Sequence, residues 1–347
     1  MKAIVLTGHG GLDKLEYRED YPMPVRAPGE VLIKVLACGL NNTDVNTRSG
    51  WYSKGNTEAT TGGVLDGAED DDAAWGGSPI TFPRVQGADV CGEVVEADDA
   101  SLVGKRVMIE TWLRDWSDPE NLNKTGYFGS ECDGGYAEYT KVDARNVHVI
   151  DSDLSDAEIA TFATSWVTAE NMLHRANVGE GDRVLIPGAS GGVGSALIQL
   201  AHRRGATTIA LCSEAKQSQL AGLGCEAILP RSPESLDGLG ITVVADVVGG
   251  ADFMPYIDCL ERGGRYTCAG AIAGPIVDFD LRSFYLKDLT FTGATIIPVG
   301  MFADLVGYIE RGEVKPMLAA SYPLKDFHAA QTAFIAKEHV GNIVVTP

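Results

Sequence analysis

The stretch Arg183-Val184-Leu185-Ile186-Pro187-Gly188-Ala189-Ser190-Gly191-Gly192-Val193-Gly194, continued by Ser195-Ala196-Leu197-Ile198-Gln199-Leu200-Ala201, decides the fold. It reads as a short apolar strand, a glycine-rich turn and a helix that begins on the glycines. Gly188 permits the tight turn. Gly191 and Gly192 leave the backbone bare, so a pyrophosphate can come within hydrogen-bonding distance of amide N–H groups, and Gly194 lets the helix pack closely on the strand. A glycine-rich loop alone is weak evidence. Strand, turn and helix in the required order favour a dinucleotide site, with Gly188, Ser190, Gly191, Gly192, Val193 and Gly194 as candidate cofactor contacts.

Outward from this stretch the chain alternates between helix and strand patterns. Ser155-Asp156-Ala157-Glu158 is a capping box, predicted to open a helix that runs to about His174. Strands follow at 183–187, 208–211, 242–247 and 265–268. Helices are expected at 192–204, closed by Gly205, near 214–222 and near 252–261. That alternation is the mark of a doubly wound parallel sheet. Residues 1 to about 150 differ, with short strand-like runs at 31–36, 90–95 and 106–109 separated by turn residues, which predicts a β-rich, barrel-like domain. The last stretch, 291–347, carries two helical runs and a final strand at 343–345 that returns to complete the first domain. The expected division is therefore 1–150, 151–290 and 291–347, in an α/β protein.

A chain of 347 residues is long enough for two domains with full cores. Its net charge of −20 argues against nucleic acid and anionic membrane surfaces as partners, and is read as a solubility feature. The seven cysteines are scattered without a Cys-x-x-Cys pair, which suits free thiols in a reducing compartment. No apolar run is long enough to span a bilayer, and Met1-Lys2-Ala3-Ile4-Val5-Leu6 reads as a strand with no signal-peptide cleavage region, so a cytoplasmic location is expected. Residues 53–82 break the pattern: Gly55, Gly62, Gly63, Gly67, Gly76 and Gly77 surround the acidic run Glu69-Asp70-Asp71-Asp72. This insertion is expected to be a surface loop, either a lid or a solvated excursion without a role.

Several separate segments carry a resemblance: Ala37-Cys38-Gly39-Leu40-Asn41-Asn42-Thr43-Asp44, Arg48-Ser49-Gly50-Trp51-Tyr52, Gly87-Ala88-Asp89-Val90-Cys91-Gly92, Gly134-Gly135-Tyr136-Ala137-Glu138-Tyr139, Val167-Thr168-Ala169 and the glycine turn. In this order, and over nearly the whole chain, they resemble the medium-chain dehydrogenase/reductase superfamily, and within it the zinc-free quinone oxidoreductase (ζ-crystallin-like) branch. The resemblance implies a GroES-like barrel catalytic domain, built from both chain ends, around a central Rossmann-type NAD(P)-binding domain, with the active site in the cleft between them. Zinc-using relatives employ the metal as a Lewis acid on the substrate oxygen. Their ligands would stand at Asn41, Ala88 and near Thr164, and none of these is a suitable ligand. The four-cysteine structural zinc lobe is also missing, since only Cys132 occurs between residues 92 and 211. No metal is expected.

Without a metal, hydride transfer relies on positioning and hydrogen bonding, which suits quinones and α,β-unsaturated carbonyls, whose developing oxyanion is delocalised. The resemblance points to Tyr52 as the donor beside the nicotinamide, against the alternative of a loop-start anchor. It places Asn41 by the nicotinamide ribose, against the alternative of a helix cap, a role open also to Asn42 or Thr43. Asp44 and Arg48, four apart, are expected to form a helical ion pair. Thr168 matches a cofactor-adjacent threonine, or bonds its own helix backbone. Ser213 and Lys216 fit the Ser-x-x-Lys pattern that meets a 2′-phosphate, with Arg231 as a second positive charge and Glu214 facing solvent. Val248, Gly270 and Ala271 follow strands at the carboxyl edge of the sheet, where the far half of the cofactor would lie. Relatives often carry Gly-Lys where this chain has Gly341-Asn342. The segment 289–293 is an edge-strand candidate for pairing across a two-fold axis, so a homodimer is expected.

The expectation is an NADPH-dependent, zinc-free oxidoreductase acting on a quinone or enone. A metal-free alcohol or aldehyde dehydrogenase is the close alternative. A non-catalytic NADPH-binding protein, crystallin-like or redox-sensing, is the alternative of another class.

Overall fold

The computed structural model describes residues 1–60 and 79–347, so the central part of the expected loop at 53–82 lies outside the described residues. The chain divides into two compact units. One comprises residues 1–56, the described part of 61–164, and 298–347; the other comprises 57–60 and 165–297.

In the first unit, β1 (Ala3–Leu6) and β2 (Leu15–Arg18) form an antiparallel hairpin. The long strand β3 (Glu30–Gly39) is rich in Val, Ile and Leu, residues that suit a pleated, half-buried surface. It pairs antiparallel with β4 (Asp89–Glu96), which continues to β5 (Arg106–Ile109). A two-stranded ribbon of β6 (Trp112–Arg114) and β7 (Thr125–Tyr127) follows. Then β8 (Tyr139–Asp143) pairs with β3, and β9 (Val147–Val149) with β5. The core joins Ile4, Val5, Ile33, Val94, Val107, Phe128 and Ile343, all fully buried or nearly so. Each such aliphatic side chain contributes about 1.5–3 kcal/mol of transfer free energy. Helix α1 (Asn42–Ser49) springs from the end of β3 and stops at Gly50, whose φ of 73° is the left-handed cap that glycine adopts without strain.

The expected helix from Ser155 to His174 is two helices, α2 (Asp156–Ile159) and α3 (Ala163–Arg175). The capping box is present, with Ser155 N donating to Glu158 Oε2 at 2.8 Å. The break has a local cause. Thr161 Oγ1 donates to the Glu158 carbonyl at 2.7 Å, the acceptor that a continuing helix would offer to Phe162. The Ala160 carbonyl meanwhile packs so tightly on Gly39 that a Cβ there would lie 2.3 Å from it.

The second unit is a six-stranded, wholly parallel sheet. In chain order it runs β10 (Arg183–Pro187), α4 (Gly192–Arg203), β11 (Thr207–Cys212), α5 (Glu214–Leu220), β12 (Ala227–Pro230), β13 (Ile241–Asp246), α6 (Phe253–Asp258), β14 (Leu260–Cys268), α7 (Leu281–Tyr285) and β15 (Thr290–Gly293). The spatial order β12-β11-β10-β13-β14-β15 reverses direction between β10 and β13, the switch point at which such sheets bind ligands. The chain returns to the first unit with α8 (Met301–Glu310), β16 (Leu318–Pro323), α9 (Phe327–Ala336) and β17 (Asn342–Thr346). There β17 lies parallel to β16 and antiparallel to β3, with Val344 opposite Gly39. Among the described residues no helix is long and apolar enough to cross a membrane.

Candidate active site

The glycine turn is built as its sequence requires. Gly188 closes β10 with φ 67°, and a Cβ there would meet Val248 Cγ2 at 2.9 Å. Gly191 is the extended N-cap of α4, and a Cβ there would meet the Gly188 carbonyl oxygen at 3.6 Å, an ordinary contact. Gly194 lies so close to the turn that an added Cβ would be 2.4 Å from the Gly188 oxygen. Gly191 is exposed, and Ser190, Gly192 and Val193 are half-buried, so the first amides of a twelve-residue helix face outward. This is a fitting cradle for a pyrophosphate.

The turns after β13 and β14 join it. Asp246 ties down the first of them, accepting from Val248 N at 2.7 Å and from Tyr266 Oη at 2.8 Å. Ala273 N donates to the Val248 carbonyl at 2.8 Å, and Gly270 packs on Val247. Gly188, Val248, Gly270 and Ala271 therefore sit around one end of the sheet. At the end of β11, Ser213 is the N-cap of α5 and Lys216 is buried, while Glu214 and Arg231 are exposed. Burial raises the Cys212 thiol, and both Lys216 and Arg231 lie near enough to pull it back, so the two cations flank the same strand end. Thr168 is half-buried in the second turn of α3.

A polar cluster lies within the first unit. Asn41 itself is the N-cap of α1, in place of Asn42 or Thr43, and Asp44 closes the box by accepting Asn41 N at 2.8 Å. Asp44 also accepts from Tyr136 Oη at 2.6 Å, and burial raises its carboxyl to about 7. The expected Asp44–Arg48 pair gives way to other partners: the fully buried Arg48 donates to the Gly10 carbonyl and, at 3.0 Å, to Gln331 Oε1. Tertiary acceptors outcompete a helical neighbour because they are buried beside it.

Asp89, at the start of β4, is completely buried, and burial raises its carboxyl to about 6 against the pull of Thr164 and Asn41. Its Oδ1 accepts from Thr164 N at 2.7 Å and from Thr164 Oγ1 in a very short hydrogen bond, so a strand carboxylate caps the first turn of α3. Tyr127 Oη lies 2.8 Å from Thr164 Oγ1. Asn41 Nδ2 and Asp89 Oδ2 are both buried and make no hydrogen bond of ordinary geometry among the described residues, although Asn41 lies close enough to lower the Asp89 carboxyl. Tyr52 is half-buried, set edge-on to Trp51 at 5.7 Å, and its phenol is raised by burial while Thr43 and Asn46 bond to it.

Asp89 and Tyr127 were not among the sequence candidates. Asp89 stands in the quoted Gly87-Ala88-Asp89 segment, where an acidic residue followed by a strand was the available signal. Tyr127 lies on a three-residue strand with no periodicity to mark it. At 41, 88 and 164 the chain presents an amide, a methyl and a hydroxyl already engaged by Asp89, a donor set that does not fit zinc. Among the described residues no group of three or more His, Cys, Asp and Glu side chains is gathered that could hold a metal ion.

A unit built on a long antiparallel sheet, joined in one chain to a doubly wound sheet with a glycine turn, defines a class: nicotinamide-nucleotide oxidoreductases. Residues 27–152 match the alcohol dehydrogenase GroES-like domain family, and residues 192–311 the zinc-binding dehydrogenase family. A solved structure from Sinorhizobium meliloti 1021, provisionally described as an alcohol dehydrogenase, is 44% identical with a TM-score of 0.90, covering 100% of this chain and 96% of its own. The quinone oxidoreductase of Homo sapiens is 26% identical, over 94% of this chain and 91% of its own length. The chloroplastic NADPH-dependent alkenal/one oxidoreductase of Arabidopsis thaliana is 27% identical, over 100% of this chain and 80% of its own. The chain belongs to the medium-chain dehydrogenase/reductase superfamily and is an oxidoreductase of that family.

Proposed function

We propose that this chain is an NADPH-dependent, zinc-free reductase of quinones or α,β-unsaturated carbonyls, working in the cytoplasm as a homodimer. The observation that carries the reading is the donor set at Asn41, Ala88 and Thr164, which leaves hydrogen bonding to do the electrophilic work. When bound, the nicotinamide supplies a hydride. The glycine turn holds the pyrophosphate, and Ser213, Lys216 and Arg231 offer one hydroxyl and two cations to a 2′-phosphate. Tyr52 keeps its proton because burial raises its phenol, so it donates to the substrate oxygen as charge develops there. Similarity to quinone and alkenal/one oxidoreductases supports this substrate class.

The test is NADPH oxidation against a panel of quinones, enones and aldehydes, repeated with NADH and with Tyr52→Phe, beside elemental analysis for zinc. Turnover of quinones or enones is expected, with kcat falling about 10²-fold in the variant. Turnover of simple aldehydes alone, unaffected by Tyr52→Phe, would sink the mechanism. The 44% identity to the Sinorhizobium meliloti structure supports a second reading, an alcohol dehydrogenase, which tightly bound zinc in the purified protein would favour.

A further inference from the structure

With Asp89 ionised, the hydrogen bonds around Thr164 run in one direction. Thr164 has a single hydroxyl proton, and it points to Asp89 Oδ1. The contact between Tyr127 Oη and Thr164 Oγ1 at 2.8 Å must then be a bond donated by the phenol. The result is a directed row, Tyr127 O–H to Thr164 O–H to Asp89, running from a phenol to a carboxyl at full burial.

We propose that this row is the proton relay of the reductase, with Asp89 as reservoir, Thr164 as carrier and Tyr127 as the group that hands the proton to substrate. The proposal rests on the quinone or enone reading above and deepens it. Hydride adds to the substrate carbon, and the displaced electron pair collects on the substrate oxygen. That oxygen takes the proton of Tyr127, Tyr127 takes that of Thr164, and Thr164 takes that of Asp89. The transfer starts from protonated Asp89, with both hydrogen bonds of the row turned round so that Asp89 donates to Thr164 and Thr164 to Tyr127. It ends with the row as the structure shows it, and the Asp89 carboxylate regains a proton from solvent.

Three observations support this assignment. The Tyr127 phenol is held well above its usual range, by burial first and then by Asp89, so it begins each cycle protonated. Tyr52 also acts on the Tyr127 phenol to raise it, so the two phenols lie near each other, one to hold the oxygen and one to protonate it. Burial brings the Asp89 carboxyl to about 6, a value from which a proton moves readily in either direction near neutrality. The groups facing Asp89 are Cys38 from β3, Asn41 and Asp44 at α1, Tyr127 from β7, Tyr136 before β8 and Thr164 from α3. None of these is a cation that would trap the carboxylate.

Tyr127→Phe keeps the ring that stands edge-on to Trp112 at 5.1 Å, so the fold should survive while the relay is cut. Measured on the intact enzyme with NADPH and its best quinone or enone, Tyr127→Phe and Thr164→Val are each expected to lower kcat about 10²-fold. KM and the NADPH dissociation constant, followed by nicotinamide fluorescence, should hold, and Thr164→Ser should restore most of kcat. A Tyr127→Phe enzyme with unchanged kcat, or one that loses melting temperature and NADPH affinity together with rate, overturns the relay while leaving the reductase reading intact. Failure of the unmodified enzyme to turn over any quinone or enone overturns both.

Discussion

Asp89 shows how one residue can serve fold and chemistry together. Its carboxyl caps the first turn of α3 through Thr164 N and sits fully buried, so the neutral form is favoured and its value rises from 3.8 to about 6. A carboxyl whose value is higher in the folded than in the unfolded chain binds its proton more tightly when folded. Its contribution to stability is therefore complete below about pH 4 and is lost as pH rises through about 6. Asp89→Asn, which cannot ionise, should be the less stable protein at pH 4.5. Relative to the unmodified chain it should gain on the order of 2 kcal/mol between pH 4.5 and pH 7.5. Denaturant melts of both proteins at the two pH values measure this, and a difference that does not change with pH would place the ionised form in the native state throughout. The sequence showed Asp89 only as part of a segment. It packs against Gly39 and Asn41 at the end of β3 and against Thr164 of α3, all brought in from elsewhere in the chain, and no local pattern records that.

At the scale of elements, legibility followed periodicity. The strand–turn–helix at 183–201 was readable because its glycines have local, steric jobs that any sequence reader can infer. Gly194 is the sharpest case: a methyl there would sit 2.4 Å from the Gly188 oxygen, against backbone that cannot give way. Gly194→Ala should therefore raise the NADPH dissociation constant at least tenfold and lower the melting temperature of the protein. Fluorescence titration and a thermal melt would both register it, and an unchanged affinity would show that the turn is not the pyrophosphate cradle. The single helix expected from Ser155 to His174 was misread for the opposite reason. A helix-compatible sequence was interrupted by the Thr161 hydroxyl and by the close approach of Ala160 to Gly39, a contact more than a hundred residues away in sequence. Short strands such as Thr125–Tyr127 escaped notice because three residues carry no alternation to count. With that strand went Tyr127, and with Tyr127 the outlet of the relay.

For the whole molecule, the open question is how the parallel sheet ends. β15 is its edge, with one row of backbone groups unpaired within the sheet. The segment leading to it leaves Ile276 69%, Leu281 63%, Tyr285 60% and Leu286 56% exposed. Exposed apolar side chains scattered singly need no explanation, but four within eleven residues beside an open edge make a patch that a second copy would cover. A two-fold axis would set β15 against its own mate, extending the sheet and burying both patches at once. The high negative charge argues against loose aggregation as the alternative, because like-charged molecules repel unless a specific apolar contact outweighs that repulsion. Light scattering coupled to size exclusion should give twice the chain mass of 36.8 kDa. The double variant Leu281→Glu with Leu286→Glu should give a monomer that retains the NADPH affinity of the unmodified protein, since neither residue lies near the glycine turn in sequence. A monomeric unmodified protein would remove the dimer from the proposed function, and a dimer indifferent to both glutamates would move the interface away from this edge.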